Sequence, residues 1–147
     1  MEISTCSGAI SLTKELENES AKVYQELAQK FEKDKDLFLA FAKENGKFYS
    51  QVERAYYGVI TDAFEGCFAF NLNPEDYQFK KTLPKDISLS NAVAEALKME
   101  ETMLKFCQTA AEQSKHLMAD VPRAFKMVAK KRSHRPSTLR SLLDKKG

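Results

Sequence analysis

The sequence predicts an all-α fold, a four-helix bundle made of two helical hairpins joined by a long crossover. Three observations predict it. The 147 residues contain only 5 Gly and 4 Pro, which favours long helices over many turns. Apolar residues recur at steps of three and four through four separate stretches, the spacing of one helix face. Between the second and third stretches, residues 62–87 lose that period and carry Gly66, Pro74 and Pro84.

The first helix is expected over 7–33, with Ile10, Thr13, Glu17, Ser20, Tyr24, Leu27 and Phe31 on its inner stripe. The charged run EKDKD at 32–36 makes a short turn, with Asp34 or Asp36 placed to cap the next helix. That second helix is expected over 37–61, its stripe being Phe38, Phe41, Ala42, Asn45, Phe48, Val52, Ala55 and Tyr56. Gly46 lies inside it, at a cost of about 1 kcal/mol, and is read as room for the close approach of a neighbouring helix. The crossover, 62–87, is rich in aromatic residues (Phe64, Phe68, Phe70, Tyr77, Phe79), so it should pack along the helices rather than hang free.

The third helix should start from a Ser88 cap and run over 88–116, with Val93, Ala96, Glu100, Met103, Cys107, Ala110 and Ala111 inward. The fourth is expected over 121–143, announced by Asp120 as capping residue and Pro122 in the first turn. Its stripe is Phe125, Val128, Ala129, Arg132, Arg135, Leu139, Leu142 and Leu143. Pro136 falls inside that stretch and should kink or break it. One domain, 1–147, accounts for the whole chain.

Composition narrows the classes of function. At 43% hydrophobic and 30% charged residues, with no apolar run near the roughly 20 residues of a membrane span, the chain reads as a cytoplasmic protein with no membrane partner. The start, MEISTCSGAISLTKE, lacks the basic beginning and apolar core of a secretory signal. Cys6, Cys67 and Cys107 form no CxxC pair, so they are read as reduced and mostly buried thiols rather than disulfides or a zinc site. The net charge of +2 divides unevenly: residues 1–120 hold 14 Lys and Arg against 20 Asp and Glu, and residues 121–147 hold 9 against 1. That basic end implies either ion pairing within the fold or an anionic partner.

Two acids, Glu17 and Glu100, sit in the middle of apolar stripes. A buried carboxylate is costly unless a cation or a hydrogen-bond donor meets it. Helices 1 and 3 align at an offset of 83, which superposes Glu17 on Glu100; helices 2 and 4 align at 87, which superposes Asn45 on Arg132 and Phe48 on Arg135. A duplicated hairpin of this kind builds a four-helix bundle with an approximate two-fold axis.

On these residues the chain resembles the ferritin-like superfamily, in its rubrerythrin-like branch, over about residues 9–143. The carriers are Glu17 with ESAKVYQELA (19–28), FLAFAKENGKF (38–48), ALKMEETMLKFCQTAAE (96–112) and FKMVAKKRSHRPSTLRSLL (125–143). The resemblance implies a glutamate on helices 1 and 3 and a Glu-x-x-His on helices 2 and 4. These would hold two irons that react with dioxygen or peroxide. Glu17 and Glu100 match the lone glutamates. Asn45 and Phe48 stand where helix 2 should offer Glu and His, and Arg132 and Arg135 where helix 4 should. A one-residue shift brings Glu44 inward, but then offers Lys47. The two histidines, His116 and His134, lie off the expected positions, and the rubredoxin-type domain has no CxxC pairs to build it.

Three arrangements are open. Arg132, with Arg135, could supply the positive charge and pair with Glu17 and Glu100. Helix 4 could instead rotate and leave both arginines in solvent. A reduced metal site, with iron the candidate, could use Glu17 and Glu100 with Glu44 or water. The expected function is accordingly a non-catalytic interaction or small-ligand-binding bundle, a homodimer, with no catalytic residue. The alternatives are an iron-binding rubrerythrin-like oxidoreductase and a nucleic-acid or anionic-surface binder using Lys130, Lys131, Arg132, Arg135, Arg140, Lys145 and Lys146. The aromatics Tyr24, Phe41, Phe48, Tyr49, Tyr56 and Tyr57 are read as core.

Overall fold

A computed structural model describes residues 2–59, 70–115 and 120–144. The architecture is all-α. Four helical rods share one apolar core, and the last rod is broken in two. The helices are α1 (Cys6–Lys30), α2 (Lys35–Val59), α3 (Leu89–Gln113), α4 (Asp120–Arg132) and α5 (Arg135–Asp144). None of the described helices is long and apolar enough to cross a membrane.

Each boundary has a local cause. Thr5 caps α1, its hydroxyl accepting the Gly8 N–H at 3.0 Å. That helix ends at Lys30, ahead of the expected 33, and the residues Glu32–Asp34 form a 3-10 turn. Helix α2 begins at Lys35, so Asp34 immediately precedes it and Asp36 lies in its first turn, where an acid favours the helix dipole. Ser88 caps α3 as expected, accepting the Asn91 N–H at 3.1 Å. Asp120 is itself the first residue of α4 rather than its cap, with Pro122 in the first turn.

The stripes read from spacing are the buried faces. Ile10, Thr13, Glu17, Ser20, Tyr24 and Leu27 are buried on α1; Phe38, Ala42, Asn45, Phe48, Val52 and Tyr56 on α2. On the broken rod Phe125, Val128, Ala129, Arg132, Arg135, Leu139 and Leu142 are all buried. Helix α1 packs chiefly on α2, and α3 on α4 and α5. Two expectations fail. A Cβ on Gly46 would meet nothing within 4 Å, so no neighbouring helix approaches there. Tyr57 is 65% exposed rather than in the core.

Of the crossover, residues 62–69 lie outside the described residues. The remainder runs along α1. Ile3 and Leu72 exchange backbone hydrogen bonds of 2.6 and 2.9 Å, Lys81 pairs with Glu19 at 2.6 Å, and the Leu83 N–H reaches Glu26 Oε1 at 3.3 Å. Gln113, at the end of α3, bonds both the N–H and the carbonyl of Asn71. Phe70, Leu72, Tyr77 and Leu83 are buried, and the Tyr77 ring meets Phe106 edge-on at 5.2 Å. Aromatic and aliphatic anchors thus hold the segment to the rods.

The fourth rod breaks at Ser133–His134 instead of running on from 121 to 143. Pro136 explains it. Proline has no N–H for the carbonyl four residues back, and its ring crowds that carbonyl, here Arg132. The chain turns once, with the Ser133 N–H on Ala129 O at 3.0 Å, and restarts at Arg135.

Candidate functional site

At that break lies a polar cluster inside the core. Arg132 is the last residue of α4 and is 1% exposed. Its Nη2 donates to Glu17 Oε1 on α1, and its Nη1 donates to Glu100 Oε1 on α3 at 2.6 Å. Nη2 also reaches Asn45 Oδ1 on α2 at 3.3 Å. One guanidinium therefore ties together all four rods. Asn45 turns its amide nitrogen to Ser20 Oγ at 2.8 Å.

Arg135 opens α5 and enters the same cluster from the other side of the break. Its Nη1 donates to Glu100 Oε2 at 3.0 Å; its Nη2 donates to Phe41 O at 3.1 Å and to Glu44 Oε1 at 2.8 Å. The Glu44 side chain is 42% exposed, so this acid belongs to the rim. Tyr24 donates its hydroxyl to Glu100 Oε2. Aromatic faces close the cluster. Phe48 lies 5.2 Å from the Arg132 Cζ and 5.0 Å from the Arg135 Cζ, and Phe41 lies 4.5 Å from the latter, within cation–π range.

Two buried carboxylates meet two buried guanidiniums, so the interior of the cluster is neutral. Its members are not equivalent. Burial pushes the Glu17 carboxyl above its usual range, and the contact with Arg132 offsets that in part. Burial pushes Glu100 the same way, but Arg132, Arg135 and the Tyr24 hydroxyl outweigh it and hold the group below its usual range. Arg132 is desolvated, yet Glu17 and Glu100 overcome this and bind its proton more firmly. Burial, then the neighbouring Glu100 charge, lifts the Tyr24 phenol well above normal. Burial, then Glu17, pushes the Cys107 thiol up to about 12. Tyr24 and Cys107 are therefore held protonated at neutral pH, the opposite of what activates a nucleophile.

The donor set does not fit a di-iron centre. Such a site needs several carboxylates and imidazoles converging on the metals. Here a guanidinium stands between Glu17 and Glu100, and the helix 2 positions supply an amide (Asn45) and a phenyl ring (Phe48). Among the described residues, no group of three or more His, Cys, Asp or Glu side chains gathers in a way that could hold a metal ion.

All the residues singled out for the site, Glu17, Glu44, Asn45, Glu100, Arg132 and Arg135, come together in this cluster. The basic run is correspondingly less of a surface: Arg132 and Arg135 are buried, while Lys130, Lys131, His134 and Arg140 are exposed. His116, Cys67, Lys145 and Lys146 lie outside the described residues; Cys6 and Cys107 are buried thiols. Spacing alone puts Tyr24 and Ser20 on a stripe without giving either a polar role. A signal for that role exists, since both share the α1 face with Glu17, at steps of three and seven. The Phe41 carbonyl carries no such signal, because its exposure to Arg135 depends on the break.

No family model, curated protein or solved structure matches the chain.

Proposed function

We propose that the chain is a ferritin-like bundle, of the rubrerythrin-like kind, whose core is organised by arginine instead of iron, and that it acts without catalysis as an interaction or small-ligand-binding protein. The observation that carries this reading is the bridge from Arg132 to both Glu17 and Glu100. A guanidinium matches carboxylates in shape and is always charged, so it can satisfy the two acids that iron would otherwise neutralise. A buried network of this kind specifies how the rods pack more than it adds to stability. A second copy of the chain is part of the reading. Sedimentation of the full chain should show a dimer, and a monomer would remove that part of the reading.

Metal analysis of protein produced in iron-supplemented medium tests the core reading. The expected result is no stoichiometric iron, in wild type and in Glu17→Ala/Glu100→Ala alike. About two irons per chain, lost in the double variant, would overturn it.

A further inference from the structure

Helices α2 and α4 run antiparallel, since Arg132 reaches Asn45 while Gln51 donates its amide N–H to Met127 Sδ at 3.2 Å. Steps of three and four from that second contact put Lys47 and Arg54 beside Gln51, and Arg123 and Lys131 beside Met127. The antiparallel register sets Lys47 next to Lys131 and Arg54 next to Arg123. All four cations are exposed, as is Met127 between them. Little answers their charge. Arg123 has a loose, exposed pair with Asp120 at 3.6 Å. Among the described residues, Lys47, Arg54 and Lys131 make no ion pair. The nearest acids of α2 are engaged elsewhere, Glu44 by Arg135 and Glu53 by the Tyr49 hydroxyl, and α4 has no acid after Asp120. Lysines on other faces do find acids, as Lys81 finds Glu19 and Lys115 finds Glu112. A block of unanswered like charge repels itself and attracts an anionic partner.

From this we infer that the α2–α4 face binds the phosphate backbone of duplex DNA, without reading its base sequence. Spacing agrees. Lys47 and Arg54 stand about 10 Å apart along α2, close to three phosphate steps of about 3.4 Å along one strand. Packed helix axes lie about 8–10 Å apart, so α4 sets a second row of cations beside the first. The centre of the face decides between anionic partners. It holds Gln51 and Met127, not the several Leu, Phe or Trp side chains that seat a helix in a lipid surface. Tyr57, one turn beyond Arg54, is a single ring already set against Tyr56, not a series of rings on which successive bases of a single strand could stack. The inference names the partner of the interaction reading and rests on it. The two fail separately, because iron content decides the core and DNA binding decides the face.

The test is fluorescence anisotropy of two labelled duplexes of unrelated sequence, titrated with the full chain at several salt concentrations. Both should bind alike, and affinity should fall with salt at a log–log slope of about −4, four phosphates at about 0.9 each. Lys47→Gln/Lys131→Gln, two exposed changes that spare the core, should make the slope shallower by about 2 and weaken binding about tenfold at about 0.1 M salt. Lys14→Gln/Lys22→Gln removes the same charge from the exposed face of α1 and should leave the slope unchanged. No binding at low salt, a preference for one duplex, or equal losses in the two double variants would each overturn the assignment. So would a single strand, an RNA duplex or phosphatidylserine vesicles that compete more tightly than the DNA duplex.

Discussion

Glu17 and Glu100, on different helices and 83 positions apart in the chain, are bonded by the same guanidinium. Neither carboxylate reaches water: their side chains are 2% and 1% exposed. Replacing Arg132 with Met keeps the core apolar and removes the charge, leaving two buried acids with only Arg135 to answer them. Losing one partner of a buried ion network costs about 3–5 kcal/mol, because the orphaned charge is what becomes expensive. Urea denaturation at neutral pH should show that loss for Arg132→Met. Adding Glu17→Met should recover part of it, since the orphan is then gone as well. Unchanged stability in the single variant would mean that the network contributes nothing to the fold.

Acid titration should separate the two glutamates. Glu17 has a raised pKa in the fold, so the folded state takes up its proton first; its ionisation costs stability as pH rises above the usual value of 4.5. Glu100 has a lowered pKa, so it contributes stability above 4.5 that is lost as pH falls through its folded value. Glu17→Gln should therefore flatten the stability profile above 4.5, and Glu100→Gln should flatten it below. Urea midpoints collected from acid to neutral pH read both slopes directly. Profiles of the same shape for the two variants would show the carboxylates to be equivalent.

The stripes are legible in sequence because burial imposes a 3.6-residue period, and Glu17, Asn45, Glu100 and Arg132 each fall in the middle of a largely apolar buried face. Polar residues in those places announce that they must meet, and the matched offsets say where. The partner atoms are less legible. Tyr24 reads as one more aromatic until α3 sets Glu100 opposite its hydroxyl. The spacing puts Arg132 and Arg135 on one stripe opposite the two acids, but it does not say which oxygen each takes: both reach Glu100, while only Arg132 bonds Glu17. Gly46 misleads for a related reason: a glycine in a helix looks the same in sequence whether a neighbour packs on it or open space lies beside it.

Cys107 should be inert. Its thiol lies in the core beside Glu17 and is pushed up to about 12, so little thiolate exists near neutral pH and reagents cannot reach it. In a Cys6→Ser/Cys67→Ser variant, which leaves Cys107 alone, an aromatic disulfide reagent at mildly alkaline pH should label the native protein no faster than the protein unfolds. Addition of urea past the midpoint should make labelling immediate. Rapid labelling of the native state would place Cys107 outside the packed core and would weaken the account of its neighbour Glu17.

Gly46 offers the complementary test, a gain of stability. It sits in the interior of α2 on the exposed face, with no positive φ and nothing within 4 Å of an added Cβ. The glycine therefore carries its entropic cost without a packing reason. Gly46→Ala should stabilise the chain by about 0.5–1 kcal/mol, by restricting the unfolded state and restoring helix propensity. For a domain of this size that is a rise of about 1–4 °C in the thermal midpoint. Neighbouring Asn45, which bonds Arg132 and Ser20, faces the core and should be undisturbed. A scanning calorimetry trace with an unchanged or lower midpoint would mean that the close approach expected from the sequence exists after all, supplied by a second copy or another partner in solution.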